Sequence, residues 1–216
     1  MQKKTSVSHR RTLSILAMTV AGLAFTGCTT TMPRDPATAA EHQAEINTRA
    51  NATLARLYEA APNSRDLVSR AKGVLVFPKV LSASFVVGAE HGDGVLKTNG
   101  RNDGYYSISG GSVGFQAGAQ SKAIVLLFMT QEALDKFRNS NGWTAGVDAT
   151  VAVANIGANG SINTNTANEQ VVGFVMTNAG LMAGVSLEGT KIQKIDQVRN
   201  SSKTNTNTNT DTSLGN

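Results

Sequence analysis

The period of the apolar positions changes several times along the chain. In an Ala-, Glu- and Arg-rich segment, Ile46, Ala50, Leu54, Leu57, Tyr58 and Ala61 recur at helical spacing. This predicts a helix over 37–61 with a single stripe suited to docking on a sheet, ended by Pro62. Ser64 is expected to cap a short second helix, with Asp66 in its first turn and Gly73 just past its end. Strand-like runs follow: Val74 to Phe77, ended or edged by Pro78, then Ser84 to Glu90 and Tyr105 to Ser109. Val113, Phe115, Ala117 and Ala119 then alternate with Gly114, Gln116, Gly118 and Gln120. Asp93-Gly94 and Asn99-Gly100 read as short hairpin turns. The run Ala123 to Met129 is apolar without alternation, which predicts a strand covered on both faces.

Thr130 is placed to cap a helix over Gln131 to Arg138, which Asn141-Gly142 ends. Alternation from Trp143 to Val153 predicts a further strand, and the polar, Gly-rich stretch from Asn155 to Asn168 a loop. Gln170 to Thr177 and Leu181 to Ile192 make a last pair of strands around Asn178 to Gly180. Of 21 glycines, 18 fall between Gly73 and Gly189, the density that many tight turns and close backbone approaches require. The expected fold is α+β: a mostly antiparallel, Gly-rich sheet with a barrel-like core, N-terminal helices and one short inserted helix. It occupies 37–198. The tail from 199 to 216, with its Thr-Asn repeats, cannot bury apolar area and is expected to be disordered.

The first 27 residues read differently. Lys3, Lys4, Arg10 and Arg11 form a basic start, and Leu13 to Phe25 is apolar but too short for a stable bilayer span. It ends in Phe25-Thr26-Gly27-Cys28, a lipobox whose cysteine would become the lipidated N-terminus; Phe25 stands where Leu is usual. Cys28 is the chain's one cysteine, so no internal disulfide is available to it, and thioether lipidation removes a free thiol. Arg10-Arg11 also fits a twin-arginine export signal, and ordinary n-region charge explains the pair as well. The spacer from Thr29 to Pro36 can extend roughly 25 Å. Thr29 is not the Asp that commonly retains lipoproteins in an inner membrane, which favours an outer membrane, facing the periplasm. Loss of residues 1–27 removes four of 20 basic side chains and no acidic one, leaving 16 against 15. Bulk electrostatic binding of nucleic acid is therefore not expected.

Candidate chemistry is sparse. Glu90, His91 and Asp93 could supply three metal or acid-base groups, but the flanking Gly92 and Gly94 favour a solvated hairpin turn with no metal. The Gly110 to Gly114 stretch lacks the helix and Lys-Ser/Thr pair of a phosphate loop. No nucleophile elbow is present, and Asp148 has no evident partner, so neither an enzyme nor a cofactor is expected. The local excess of positive charge is Arg65, Arg70, Lys72 and Lys79, with only Asp66 acidic between Arg65 and Lys79.

Several ordered stretches resemble the SYLF domain family, also described as a lipid-binding domain. They are 71–80 (AKGVLVFPKV), 85–95 (FVVGAEHGDGV), 110–120 (GGSVGFQAGAQ), 125–137 and 180–189 (GLMAGVSLEG). The resemblance spans about residues 45–195; the Asn-rich 158–172 departs from it. In eukaryotic relatives such a domain binds phosphoinositides and, in some, actin, neither of which suits a bacterial envelope, and bacterial relatives are mostly exported lipoproteins. For a lipidated envelope protein the expectation that transfers is binding of anionic membrane phospholipid, with Arg65, Arg70, Lys72 and Lys79 as its contacts. The alternative is a structural or protein-interaction lipoprotein whose anchor does all the membrane work.

Overall fold

The computed structural model describes residues 36–154, 168–182 and 184–195, with the backbone alone at 84–87 and 112–119. The lipobox with Cys28, most of the spacer, the loop at 155–167 and the tail lie outside the described residues. Two compact units divide the chain, Met1–Pro33 and Arg34–Asn216, and every described element belongs to the second.

Helix α1 (Pro36–Ala60) ends just before Pro62, as its pattern requires, and α2 (Ser64–Arg70) follows after a short turn. Ser64 is not the cap. Arg65 N–H already donates to the Pro62 carbonyl, and Asn63 at the cap position has αR backbone with no side-chain cap bond. Ser64 is instead buried in the first turn, its hydroxyl 3.5 Å from the Leu57 carbonyl.

Two strands dominate the rest. β1 (Gly73–Thr98) and β2 (Arg101–Phe128) form one antiparallel hairpin. Its turn is Asn99-Gly100, with φ of 51° and 75°, the doubly positive φ of a type I′ turn that matches strand twist. The second expected turn does not exist. Asp93 and Gly94 sit inside β1, opposite Ser107 and Tyr106. The hairpin curls so that its two ends meet: a Cβ at Gly94 would lie 2.5 Å from the Val76 carbonyl oxygen and the Phe77 ring. Glycine serves here for close approach of backbone rather than for a turn. Pro78 likewise interrupts without terminating. Pro78 and Lys79 face Ala123 alone between the pairs Phe77–Ile124 and Val80–Lys122, a bulge that accommodates the missing donor.

Along its other edge, β2 pairs near its start with β7 (Lys191–Lys194) and near its end with β5 (Val171–Thr177). Short strands complete the sheet: β3 (Trp143–Thr144) on β7, β4 (Ala152–Val153) parallel to β5, and β6 (Gly180–Leu181) on β5. The alternation at 143–153 thus yields two short strands rather than one. Positive φ at Gly146 and a reversal around it, with Asp148 N–H donating to the Thr144 carbonyl, break the segment. The 181–192 stretch similarly contains only ends of strands. The described sheet is a mostly antiparallel half-barrel accompanied by three helices, an α+β fold.

Ala123 to Phe128 is buried throughout, and its residues divide between two cores. Ile124, Leu126 and Phe128 join Leu75, Phe77 and Trp143 on the concave side, where α3 (Gln131–Asn139) contributes Leu134 and Phe137. Ala123, Val125 and Leu127 join Val74, Val76 and Phe174 on the convex side, covered by Ile46, Leu57 and Leu67 of α1 and α2. Thr130 caps α3 as expected, its Oγ1 accepting the Ala133 N–H at 3.2 Å.

Candidate functional site

The four cations singled out by sequence are all exposed, but the fold divides them. α2 stops at Arg70 because Ala71 turns extended (ψ 136°), and Lys72 leads into β1 with its N–H donating to the Phe128 carbonyl at 2.8 Å. Arg65 lies 4.4 Å above the Tyr58 ring, a cation–π contact. Burial raises the Tyr58 hydroxyl pKa above its ordinary value, and Arg65 opposes that rise. Arg70 pairs with Asp66 one turn earlier at 2.8 Å. Arg70 and Lys72 border a shallow cavity of about 300 Å³ with Arg138, which Asp103 and Thr98 hold. Lys79, seven residues beyond Lys72 along an extended arm, stands roughly 20 Å away. Among the described residues, neither Lys72 nor Lys79 has a carboxylate partner.

Lys79 instead borders a cleft of about 270 Å³ where α1 crosses β1. The Pro78–Lys79 bulge forms one wall, and Leu81, half exposed at 51%, continues it. Ile46 of α1 gives the floor a buried apolar side chain. On the opposite wall His42 Nε2 lies 2.9 Å from Asp93 Oδ2, and His91 Nε2 lies 3.8 Å from Asp93 Oδ1. Arg49, also at the cleft, is paired with Glu45 at 2.6 Å. The rim thus holds Lys79, the Arg49–Glu45 pair and the histidine contacts to Asp93, with Ile46 beneath and Leu81 beside Lys79.

Glu90 does not join His91 and Asp93. One residue earlier in a strand, it points to the opposite face, where its buried carboxylate meets Lys122 Nζ at 2.8 Å. Gly110 opposite leaves room for it: a Cβ there would lie 3.1 Å from Glu90 Oε1. The expected solvated turn is therefore a buried ion pair on one face of β1 and a helix-to-strand His–Asp contact on the other. Among the described residues, no three His, Cys, Asp or Glu side chains converge on a metal position. Nor is any described helix long and apolar enough to cross a membrane.

Sequence reasoning missed that His42 and Leu81 share a cleft with Lys79. His42 sits on the polar flank of α1, and only its position four residues before the core residue Ile46 hinted at a sheet-facing role.

Residues 109–202 match the Ysc84 family model, described as "Las17-binding protein actin regulator". Over that stretch the chain is similar to the Ysc84 family. It is similar to SH3 domain-containing YSC84-like protein 1 of Pongo abelii, 32% identical over 130 residues, covering 57% of this chain and 37% of that protein. The Rattus norvegicus protein of the same name is 31% identical over 130 residues, with coverage of 57% and 38%. That of Xenopus laevis is 29% identical over 129 residues, again covering 57% and 38%. The chain thus spans under two-fifths of these relatives' length. Within the Ysc84 match lie most of β2, α3 and β5 to β7; the four cations and the α1–β1 cleft precede it.

Proposed function

We propose that this protein is an exported envelope lipoprotein, lipidated at Cys28 and held on the periplasmic face of an outer membrane. Its Ysc84-like domain binds anionic phospholipid at the membrane surface without catalysing a reaction. The observation that carries the binding reading is the exposure of Arg65, Arg70, Lys72 and Lys79, with Lys72 and Lys79 free of carboxylate partners among the described residues. Near an anionic surface each basic side chain is worth about 1 kcal/mol. A tether raises the effective lipid concentration, so a modest patch suffices. The actin and Las17 of the family description are not partners available to a periplasmic domain, whereas acidic phospholipid is.

The test is sedimentation of the chain from residue 28, with Cys28→Ser, on vesicles with and without an anionic lipid. Salt-sensitive binding to anionic vesicles is expected. Replacing all four cations by Gln should weaken it, by at least about fivefold, the share of one basic side chain at the surface. Equal binding to neutral vesicles, or none to either, would leave a structural or protein-interaction lipoprotein instead. Anchoring is checked separately: mass spectrometry of the mature protein is expected to find a diacylglyceryl-modified Cys28, and an unmodified N-terminus downstream of it would remove the anchor.

A further inference from the structure

We infer that the Lys79–Leu81 end of the hairpin, with the α1–β1 cleft beside it, is the face that docks on the anionic bilayer. The Arg70–Lys72 end, at the Asn99-Gly100 turn, faces away. This rests on the phospholipid reading and assigns its orientation.

Three observations favour this end. The first is chemical pairing. Lys79 is an exposed cation without a carboxylate partner among the described residues, and two positions on stands Leu81, 51% exposed. A cation beside a large exposed apolar side chain matches the headgroup layer, where phosphate meets the first acyl carbons. Lys72 is equally unpaired, but among the described residues no large exposed apolar side chain borders the Arg70–Lys72 cavity.

The second is the composition of the hairpin beyond Leu81. From Val80 to Ala89 and from Gly104 to Ser121 the sequence has no charged side chain. There β1 and β2 pair with each other, and the pairings of β2 with β7 and β5 stop at Ser109 and resume at Ala123. Exposed sheet edges in water usually carry charges that block association. Backbone groups at such edges still need hydrogen bonds, so the ribbon rests among headgroups and does not enter the hydrocarbon.

The third is the path of the chain. The first buried residue of α1 is Ile46, on the cleft floor, and His42 at the cleft wall is six residues from the helix start at Pro36. That is about 9 Å along the helix axis. A segment leading back to Cys28 therefore joins the domain at the cleft end, and tether and contact surface can engage one membrane together.

The experiment places a polarity-sensitive dye at Leu81→Cys or, as control, at Val147→Cys, the other large apolar residue exposed among the described residues (80%). Both are made in the chain from residue 28 with Cys28→Ser, and mixed with phosphatidylglycerol-containing or pure phosphatidylcholine vesicles. A blue shift at position 81 with phosphatidylglycerol, and none at 147, is expected. In unlabelled protein Lys79→Glu should weaken vesicle binding about thirtyfold, and Lys72→Glu less than threefold. Unchanged Trp143 fluorescence confirms that each variant is folded. Binding without a shift at 81, or equal losses for the two lysines, overturns this orientation while leaving phospholipid binding intact. Absence of vesicle binding by the parent chain removes both. A shift at 81 that follows protein concentration without vesicles shows that a second copy covers this face, and also overturns the assignment.

Discussion

The Glu90–Lys122 pair shows why neighbouring residues in a strand can have unrelated roles. Glu90 is buried, its side chain 7% exposed, and its carboxylate lies 2.8 Å from the Lys122 ammonium. Removing one member of a buried pair leaves an uncompensated charge, a loss of about 3 kcal/mol. Lys122→Ala should therefore lower the urea midpoint markedly, and Glu90→Gln with Lys122→Met should recover much of it. If Lys122→Ala left the midpoint unchanged, solvent would have to reach Glu90. One residue on, His91 and His42 both face Asp93, with Lys79 at the cleft rim and the Arg49–Glu45 pair beside it. None of this was legible in the sequence, where Gly92 and Gly94 beside acidic Asp93 carry the same signature as a turn. The distinction depends on what lies across the fold, Phe77 and Val76, which local composition does not encode.

At the scale of elements, the hairpin was read as five separate strands because Pro78 and the glycines interrupt its apolar pattern. In the fold they mark a bulge, a crossing and a bend within two strands of 26 and 28 residues. Elements set by local chemistry were legible: α1 with Pro62 behind it, the Asn99-Gly100 turn, and α3 behind Thr130. So was Ala123 to Met129, because a run without polar alternation has no solvated face. Elements that depend on distant partners were not. The alternating Trp143 to Val153 segment has the period of a strand, yet only its ends find a neighbour to pair with. The hairpin turn offers a clean measurement, since a Cβ at Gly100 would meet no atom within 4 Å. Gly100→Ala therefore tests backbone conformation alone and should destabilise by about 1 kcal/mol. Thr130→Ala, which removes the bond to Ala133 N–H, should cost a similar amount. Chemical denaturation reads both, and a neutral Gly100→Ala would mean that the turn adopts another conformation in solution.

Across the whole molecule, one sheet serves two cores. The odd-numbered residues Ala123, Val125 and Leu127 belong to the convex core under α1, and the intervening Ile124, Leu126 and Phe128 to the concave core with α3. Neither core can lose its packing without exposing the other face of the same strand, so the two should unfold together. The chain has one tryptophan, and Trp143 is buried in the concave core, 5.8 Å from Phe137 and 6.2 Å from Phe128 between ring centroids. It reports on that side alone. Leu57, fully buried on α1, packs only in the convex core. Leu57→Ala deletes apolar volume there and should remove about 3 kcal/mol. If the shared strands couple the cores, Trp143 fluorescence and far-ultraviolet circular dichroism should shift by the same amount in Leu57→Ala and retain a common midpoint. A variant whose helical signal melts early while Trp143 keeps its parent midpoint would show that α1 detaches as an independent layer. The cleft would then open with it, since His42 and Ile46 leave together with the helix.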